Sequence, residues 1–383
     1  MIGLTPYSIL TVTAVTCVFI VLFMLITQMK AVFTKIPMWL TVTLTVVMCL
    51  RLLFPVEFLF FSNTILSFEV FPHIDDVFYT DIPIIKSVVP ESGFTIVNLF
   101  CTVWIIGAVC FVLRYLYRYY NLCKAIKYIS PADDPLIQDT LDRVKAEHNF
   151  KFDVKVIVNK AIPSPSEFGF FKQIIFLNDY SYSQKELEYI FIHELTHFYN
   201  KSNWVKLFMD MVKSILWWNP LMYILQRHID NLLEIYVDTY VVKNKNADYK
   251  LGYILSIYNV FKLSRPVKRS DAEMSYVHSM AAFSGKRILK TRFETIETGY
   301  SRSNVICACV LVFMLSYVFI SGRYVVQPGY EPDDSDLYVP EFTSENSYIV
   351  KDGDKYVIYY NGEPYLATFD IDGFNDIPIA EGH

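Results

Sequence analysis

Four long apolar runs dominate the pattern of hydrophobic and polar positions along the chain. They cover residues 7–27, 36–54, 93–113 and 303–322, and Arg51 is the one charged residue among them. Each run has close to the roughly 20 residues that an α-helix needs to cross a bilayer. Arg51 lies near the end of its run, where the side chain can reach the headgroups. The pattern therefore predicts four transmembrane helices.

Residues 118–302, between the third and fourth runs, are the only segment long enough for a domain with its own core. Its pattern predicts a helix over Asp134–His148, strands over Val154–Val158 and Gly169–Leu177, and a further helix with Ser183 as its N-cap. The second strand is expected to form a sheet edge. This segment is therefore predicted to be a domain that contains both helices and strands.

The apolar stretch Val205–Leu225 lies inside this segment but is not predicted to cross the membrane. It contains the charged residues Lys206, Asp210 and Lys213, and the pair Asn219-Pro220 interrupts it. A crossing here would also place the two halves of the candidate metal site described below on opposite sides of the bilayer.

Residues 323–383 predict a small β-rich tail. Ser347–Ile358 surrounds the turn pair Asp352-Gly353, and Tyr359–Thr368 surrounds Asn361-Gly362. Such pairs are typical of tight turns between antiparallel strands, so the pattern indicates two hairpins.

Composition and charge predict how the chain is oriented. Of its 383 residues 53% are hydrophobic, too many for an ordinary soluble protein. Basic residues concentrate between the first two runs, after the third, and just before the fourth, where Arg292 is one of five from Lys286 to Arg302. The loop 55–92 and the tail are acidic. By the positive-inside rule, both termini are outside and residues 118–302 are cytoplasmic.

The cytoplasmic segment contains His193-Glu194-Leu195-Thr196-His197, an HExxH motif within a predicted helix. Residues i and i+4 share a helix face, so both imidazoles can bind one metal ion. Glu194 can serve as general base toward a water molecule beside that ion. By itself the motif also fits an ordinary amphipathic helix with two exposed histidines.

Glu234 and Asp238 form a second pair, again four residues apart on a predicted helix. A zinc site with two histidines needs a third protein ligand, and Glu234 offers a carboxylate. Asp238 can accept the free ring N–H of a ligating histidine. Such a pair is more often a solvated acidic face, but apolar residues surround this one. The two patterns together predict one Zn²⁺ per chain, bound by His193, His197 and Glu234.

In these motifs the chain resembles the BlaR/MecR family of integral-membrane zinc metallopeptidases, which act as antirepressors in bacterial β-lactam sensing. The resemblance extends over about residues 1–325. It is densest at Ser164-Pro165 with Gly169-Phe170, His193–His197, Asn219-Pro220-Leu221 and Glu234–Asp238.

The resemblance implies zinc ligation by His193, His197 and Glu234, catalysis by Glu194 as base, and support of a ligand by Asp238. The fold class expected is a mostly α membrane protein, with four transmembrane helices, a cytosolic α+β gluzincin-like zinc metalloprotease domain and a small external β-rich tail. The expected divisions are 1–117 with three membrane helices, the protease domain 118–302, the fourth membrane helix 303–322 and the tail 323–383.

The chain departs from the family pattern in two places. Asn203 stands where the family usually has an aspartate after the HExxH helix, and the tail lacks the Ser-x-x-Lys element of a penicillin-binding domain. The resemblance therefore does not carry β-lactam recognition over to this chain.

These features predict a membrane zinc endopeptidase that cleaves a cytosolic protein when an external signal arrives. By resemblance the substrate is a transcriptional repressor of the winged-helix type, and the location is the bacterial cell membrane. Whether the protease also cleaves itself stays open. The expected partners are the lipid bilayer and the protein substrate, without direct binding of nucleic acid. The oligomeric state, including a homodimer, stays open.

Two other functions stay open from the sequence. A constitutive quality-control or CAAX-type protease shares both motifs, and a non-catalytic receptor would keep the zinc fold as a scaffold. Intact Glu194 argues against the receptor, because a structural zinc site needs no base. A peptide substrate is expected to add as a strand along the edge at Gly169–Leu177. His228 and Tyr240 are candidate oxyanion donors, each with the plainer interpretation of a packed residue.

Overall fold

The fold is seen in a computed structural model of the protein, which describes residues 2–3, 6–29, 32, 34–55, 57–58, 63–67, 80, 82, 95–160, 162–263, 286–299, 301–328, 343, 346–352, 355–368 and 377–380. Most of the predicted external loop 55–92 lies outside these residues. The chain divides into two compact units, Met1–Pro328 and Gly329–His383.

The described part of the first unit is mostly helical. Its helices are α1 (Pro6–Gln28), α2 (Met38–Leu53), α3 (Ile96–Lys127), α4 (Pro135–His148), α5 (Gln184–Tyr199), α6 (Ser202–Ile215), α7 (Pro220–Val241), α8 (Ala247–Leu263), α9 (Lys286–Thr298) and α10 (Asn304–Arg323). Its strands are β1 (Ile2–Gly3), β2 (Glu57–Phe58), β3 (Asn63–Ser67), β4 (Val154–Val158), β5 (Ser166–Phe168), β6 (Gln173–Leu177) and β7 (Tyr324–Pro328).

Three of the four predicted spans coincide with helices that are long and apolar enough to cross a membrane. These are Ile9–Gln28 in α1, Ile96–Lys127 in α3 and Asn304–Arg323 in α10. The predicted span 36–54 coincides with α2, which has 16 residues. At 1.5 Å per residue α2 is about 24 Å long, shorter than the roughly 30 Å hydrocarbon core.

Short strand pairings connect the segments at the ends of these helices. β1, before α1, pairs with β2, after α2, and β3 pairs in parallel with β7, which follows α10. On the other side of α10, the backbone N–H groups of Ser301 and Ser303 donate to the carbonyls of Thr34 and Lys35, at 3.2 and 3.3 Å. The segment between α1 and α2 is therefore held against the start of α10.

A three-stranded sheet of order β4-β6-β5 lies in the predicted protease domain, with β4 parallel and β5 antiparallel to β6. The helix predicted over Asp134–His148 is present as α4, with the Asp134 side chain as its N-cap, and the strand Val154–Val158 is present as β4. Phe191 and Leu195 of α5 share one apolar core with Val156 and Ile175 of this sheet. The sheet therefore backs the helix that carries HExxH.

The prediction of one strand over Gly169–Leu177 is wrong in two respects. Residues 169–172 form a turn: Gly169 has a φ of +104°, and a Cβ there would lie 1.9 Å from the Lys172 carbonyl oxygen. The strand begins at Gln173 and lies in the centre of the sheet, so it is not an edge. The missed strand β5 has three residues, too few to show an alternating pattern, and it forms one edge of the sheet.

The predicted interruption of the stretch 205–225 is present. α6 ends at Ile215 and α7 begins at Pro220, where proline is tolerated because the first helical N–H has no partner within the helix. The Asn219 side chain accepts a hydrogen bond from the Leu221 N–H at 3.0 Å and caps α7. The chain thus restarts as a separate helix, which carries Glu234 and Asp238.

The second unit is a four-stranded sheet of β8 (Ser347–Asp352), β9 (Lys355–Tyr360), β10 (Glu363–Thr368) and β11 (Ile379–Ala380). β9 is antiparallel to both β8 and β10, so the two predicted hairpins are confirmed. Asn361 and Gly362 have φ values of +52° and +87°, the conformation that a tight hairpin turn requires. The tyrosine rings of Tyr348 and Tyr359 stack across the strands, with centroids 5.0 Å apart.

The predicted N-cap of α5 is confirmed. Ser183 Oγ accepts from the Glu186 N–H, and Glu186 Oε2 accepts from the Ser183 N–H at 2.9 Å, which completes a capping box. We expect Ser183→Ala to lower the free energy of unfolding by about 1 kcal/mol. The midpoint of thermal unfolding in detergent would measure this, with exposed Ser181→Ala as the matched control. An unchanged midpoint for Ser183→Ala would contradict the role of the cap.

Candidate metal centre

Helices α5 and α7 bring three potential metal ligands together. The Nε2 atoms of His193 and His197, one turn apart on α5, are 3.3 Å from each other. Glu234 of α7 places Oε2 at 3.4 Å from His193 Nε2 and Oε1 at 3.5 Å from His197 Nε2. These are the residues that the sequence predicts as ligands, and in the described part of the chain they form the group suited to hold a metal ion.

The spacing of the three residues fits a zinc ion. Tetrahedral zinc with bonds of about 2.0–2.1 Å separates its ligand atoms by roughly 3.3–3.4 Å. The two Nε2 atoms are 3.3 Å apart, and each lies 3.4 or 3.5 Å from a different carboxylate oxygen of Glu234, which is close to that spacing. His197 is buried, whereas 13% of the His193 side chain and 15% of the Glu234 side chain remain exposed. The site is therefore reached from the side of His193 and Glu234.

Electrostatics holds His197 and Glu234 in the forms that bind a metal ion. Burial lowers the pKa of His197 to about 4, so the imidazole is neutral at physiological pH. Burial by itself would raise the pKa of Glu234. Electrostatic interaction with the His197 ring, a hydrogen bond with His193 and the charge of Arg292 outweigh burial and hold the pKa of Glu234 well below its usual value. A neutral imidazole and an ionised carboxylate are the forms that metal ligation requires.

Asp238 was predicted to support a ligating histidine. In the structure it does so indirectly, because Tyr253 lies between Asp238 and His193. The Tyr253 hydroxyl of α8 donates to Asp238 Oδ1 at 2.7 Å and lies 2.7 Å from His193 Nδ1. His193 Nδ1 and Asp238 Oδ1 themselves are 3.5 Å apart. Since Tyr253 donates its proton to Asp238, its oxygen accepts from His193 Nδ1–H, which leaves Nε2 free for a metal.

Arg292 of α9 is a second residue that the sequence analysis did not assign to the site. Its guanidinium is buried and donates to both oxygens of Asp238, at 2.6 and 2.8 Å. Its Nη1 also lies 3.4 Å from Glu234 Oε2. In the sequence, Arg292 belongs to a basic segment before a predicted span, so its pattern indicated membrane topology rather than a site.

The second histidine faces a buried ion pair. Glu167 of β5 has Oε1 at 3.9 Å from His197 Nδ1, and Lys206 Nζ of α6 donates to that oxygen at 2.7 Å. Burial opposes ionisation of Glu167, but electrostatic interaction with the His197 ring and the charge and hydrogen bond of Lys206 prevail and lower the pKa of Glu167 to about 2. Neither residue was predicted, because a lone glutamate in a three-residue strand and a lysine in an apolar helix have no site-specific spacing.

Glu194 lies in the same buried region. Burial raises the pKa of its carboxyl well above the usual value, and the negative charges of Glu167 and Glu234 raise it further. Its Oε2 atom has no hydrogen-bond partner among the described residues. A buried carboxyl group with a raised pKa beside potential metal ligands is the kind of group that can serve as a general base.

Three further predicted positions have structural contacts. Asn203, where the family pattern has an aspartate, donates to the Gly169 carbonyl at 3.1 Å and so holds the β5–β6 turn. His228 Nε2 lies 2.7 Å from Thr27 Oγ1 on α1, and the ring of Tyr240 packs against that of Tyr199. These contacts fit the plainer interpretation of His228 and Tyr240 as packed residues.

Comparison with known proteins agrees with this arrangement. The family model "BlaR1 peptidase M56" matches residues 3–296. "Regulatory protein BlaR1" of Bacillus licheniformis is 25% identical over 302 residues, which are 72% of this chain and 48% of the relative. The protein of the same description from Staphylococcus aureus is 25% identical over 307 residues, 72% of this chain and 51% of the relative.

A shorter match is to "Methicillin resistance mecR1 protein" of Staphylococcus aureus (strain Mu50 / ATCC 700699), 27% identical over 159 residues, 40% of this chain and 27% of the relative. The chain spans about half the length of the BlaR1 relatives that it matches. The family match itself covers well over half of the chain, including both metal-site helices. The chain therefore belongs to the BlaR1 peptidase M56 family.

Proposed function

We propose that this protein is a membrane-embedded zinc endopeptidase that transduces an external signal by cleaving a cytosolic protein. The observation that carries the proposal is the set of three ligand atoms at zinc spacing beside a buried carboxyl group. The family supports a metallopeptidase in a membrane signalling protein. The relatives are named as a regulatory protein and a methicillin resistance protein, which agrees with a role in signalling. From the family resemblance we propose a transcriptional repressor of the winged-helix type as substrate, with the protein itself as a proposed second substrate.

In this proposal His193, His197 and Glu234 hold one Zn²⁺. When bound, zinc polarises the scissile carbonyl and lowers the pKa of a water molecule toward neutrality. Tyr253 and Asp238 orient His193 through the hydrogen bonds already described, and Glu167 faces the outer nitrogen of His197. The protein therefore supplies both the ligands and the groups that fix their orientation.

Glu194 is the general base. Its Oε2, buried and without a hydrogen-bond partner among the described residues, accepts a proton from the attacking water and passes it to the leaving amine. The raised pKa makes this carboxylate a stronger base than an ordinary glutamate, which favours uptake of the proton from water. A non-catalytic receptor would have no use for this residue.

Four membrane crossings, with both termini outside and the protease domain in the cytoplasm of a bacterium, complete the proposal. β1 and β2 flank the pair α1 and α2, and β3 and β7 flank α3 to α10, so each pairing is consistent with an even number of crossings between its strands. The bonds from Ser301 and Ser303 to Thr34 and Lys35 join the segments expected on the cytoplasmic side. These pairings support a crossing by α2 in spite of its length.

Removal of the histidines should remove the metal. We expect about one zinc per chain in purified protein and almost none in the His193→Ala His197→Ala variant, because a single remaining carboxylate does not hold zinc. Metal analysis by mass spectrometry would measure the ratio, with His148→Ala as the control for loss of an unrelated histidine. Zinc at the wild-type ratio in the double variant would contradict the ligand assignment.

Glu194→Ala should keep zinc but lose proteolysis. Loss of the general base should slow cleavage by on the order of a hundredfold or more. The rate would be measured on zinc-loaded protein in detergent with a fluorogenic peptide library. Glu188→Ala, on the same helix in a surface ion pair with Arg143, is the matched control. Cleavage by Glu194→Ala at the wild-type rate would show that another residue is the base.

The orientation of the protein in the membrane can be tested with reporter-protein fusions. Alkaline phosphatase attached after His383 should be active, because the enzyme folds only outside the cytoplasm, whereas a fusion after Asn244 should be inactive. A green fluorescent protein at the same two positions should give the opposite pattern. An active phosphatase at Asn244 would place the metal centre outside and overturn the proposed topology.

A further inference from the structure

A buried guanidinium connects α9 to α7, the helix that carries Glu234 and Asp238. Arg292 makes a two-pronged contact with Asp238, with N–O distances of 2.6 and 2.8 Å, and lies 3.4 Å from Glu234. A buried charge is costly unless it is paired and hydrogen-bonded. Its neighbour Lys290, with 78% of its side chain exposed, has the ordinary surface position of a basic residue before a membrane span. Arg292 therefore has a different role from the rest of that segment.

Arg292 contacts two of the predicted ligands, one through a chain of hydrogen bonds and one directly. On one side, His193 bonds to Tyr253, Tyr253 bonds to Asp238, and Asp238 bonds to the guanidinium. On the other side, Arg292 lies directly against the Glu234 carboxylate. Asp238 and Glu234 are one helical turn apart, so without a cation between them their like charges would repel. Arg292 thus fixes the positions of two carboxylates that would otherwise move apart.

The residue comes from the part of the chain that leads into the fourth membrane helix. α9 ends at Thr298 and α10 begins at Asn304, so five residues separate them. α10 in turn packs on α1, where the hydroxyls of Thr16 and Tyr317 are 2.9 Å apart. The placement of Arg292 is therefore tied to the membrane helices by a short covalent connection.

We propose that Arg292 is a positioning residue for the metal centre, which holds Glu234 directly and His193 through Asp238 and Tyr253. It gives the segment that precedes α10 a direct contact with one ligand, Glu234, and an indirect one with a second, His193. A movement of α10 that shifts Arg292 would therefore change the affinity of the site for zinc. The proposal rests on the proposed function, since it presupposes that these residues bind zinc.

The zinc dissociation constant of the full-length protein in detergent tests this role. It would be measured by competition with a chelator of known affinity for wild type, Arg292→Gln, Arg292→Lys and the control Lys290→Gln. Loss of a residue that orients ligands typically weakens metal binding by about 10- to 100-fold, which we expect for Arg292→Gln. Arg292→Lys keeps the charge but cannot make the two-pronged contact, so its affinity should lie between those of wild type and Arg292→Gln. Lys290→Gln should bind as wild type does.

A second readout separates positioning from general stability. The visible spectrum of the Co²⁺-substituted protein reports ligand geometry and should change in both Arg292 variants but not in Lys290→Gln. Helix content by circular dichroism identifies a variant that fails to fold. If Arg292→Gln does not fold, the dissociation constant and spectrum of Arg292→Lys test the proposal. A folded Arg292 variant with the wild-type dissociation constant and spectrum would overturn the proposal. A wild-type protein that binds no zinc would instead contradict the proposed function.

Discussion

The close approach of α5 and α7 is the interaction on which the rest of the structure depends. Phe191 and Leu195 of α5 pack in one apolar core with Val237 of α7, and this contact brings two imidazoles and a carboxylate within 3.3 to 3.5 Å of one another. Polar groups in an apolar setting are costly where they lack a partner. The surrounding elements supply partners for His193, Glu234 and Asp238, whereas Glu194 Oε2 and His197 Nδ1 have no hydrogen-bond partner among the described residues.

The charges around the site are consistent with a resident cation. Four largely buried carboxyl groups face two basic side chains: Glu167, Glu194, Glu234 and Asp238 against Lys206 and Arg292. Burial raises the pKa of Glu194, and the neighbouring carboxylates raise it further, because the carboxyl groups outnumber the basic side chains. A divalent cation among the three predicted ligands would offset this excess and favour the ionised form of Glu194 that a general base requires.

The metal-bearing helix is also packed among the membrane helices. The Tyr236 hydroxyl, two residues from Glu234, donates to the Ile36 carbonyl at 3.1 Å, near the start of α2. His228, on the same helix, contacts Thr27 of α1. Residues of α1, α2, α6, α7 and α10 share one apolar core. α7 therefore belongs both to the candidate site and to the apolar core shared with the candidate membrane helices, so a movement of those helices has a physical route to Glu234.

Sequence reasoning could predict what depends on short spacings. The four-residue spacings of His193 with His197 and of Glu234 with Asp238 follow from helix periodicity, and the cap at Ser183 and the turn at Asn361-Gly362 follow from local hydrogen bonding and φ preference. The sequence analysis did not assign four residues to the site, because they are distant in sequence and come together only in the folded chain. They are Glu167, Lys206, Tyr253 and Arg292. Their spacings have no periodicity, and each has a commoner role as a surface or core residue.

The most direct test of the central claim is the coordination of zinc in the purified protein, read from X-ray absorption at the zinc edge. The account predicts about four nitrogen and oxygen ligands near 2.0–2.1 Å, with the multiple scattering of two imidazoles and no sulfur near 2.3 Å. The chain has seven free cysteines, so a sulfur shell is a real alternative. Zinc bound by cysteine sulfur, or by fewer than two imidazoles, would contradict the assignment of His193, His197 and Glu234 as the metal centre.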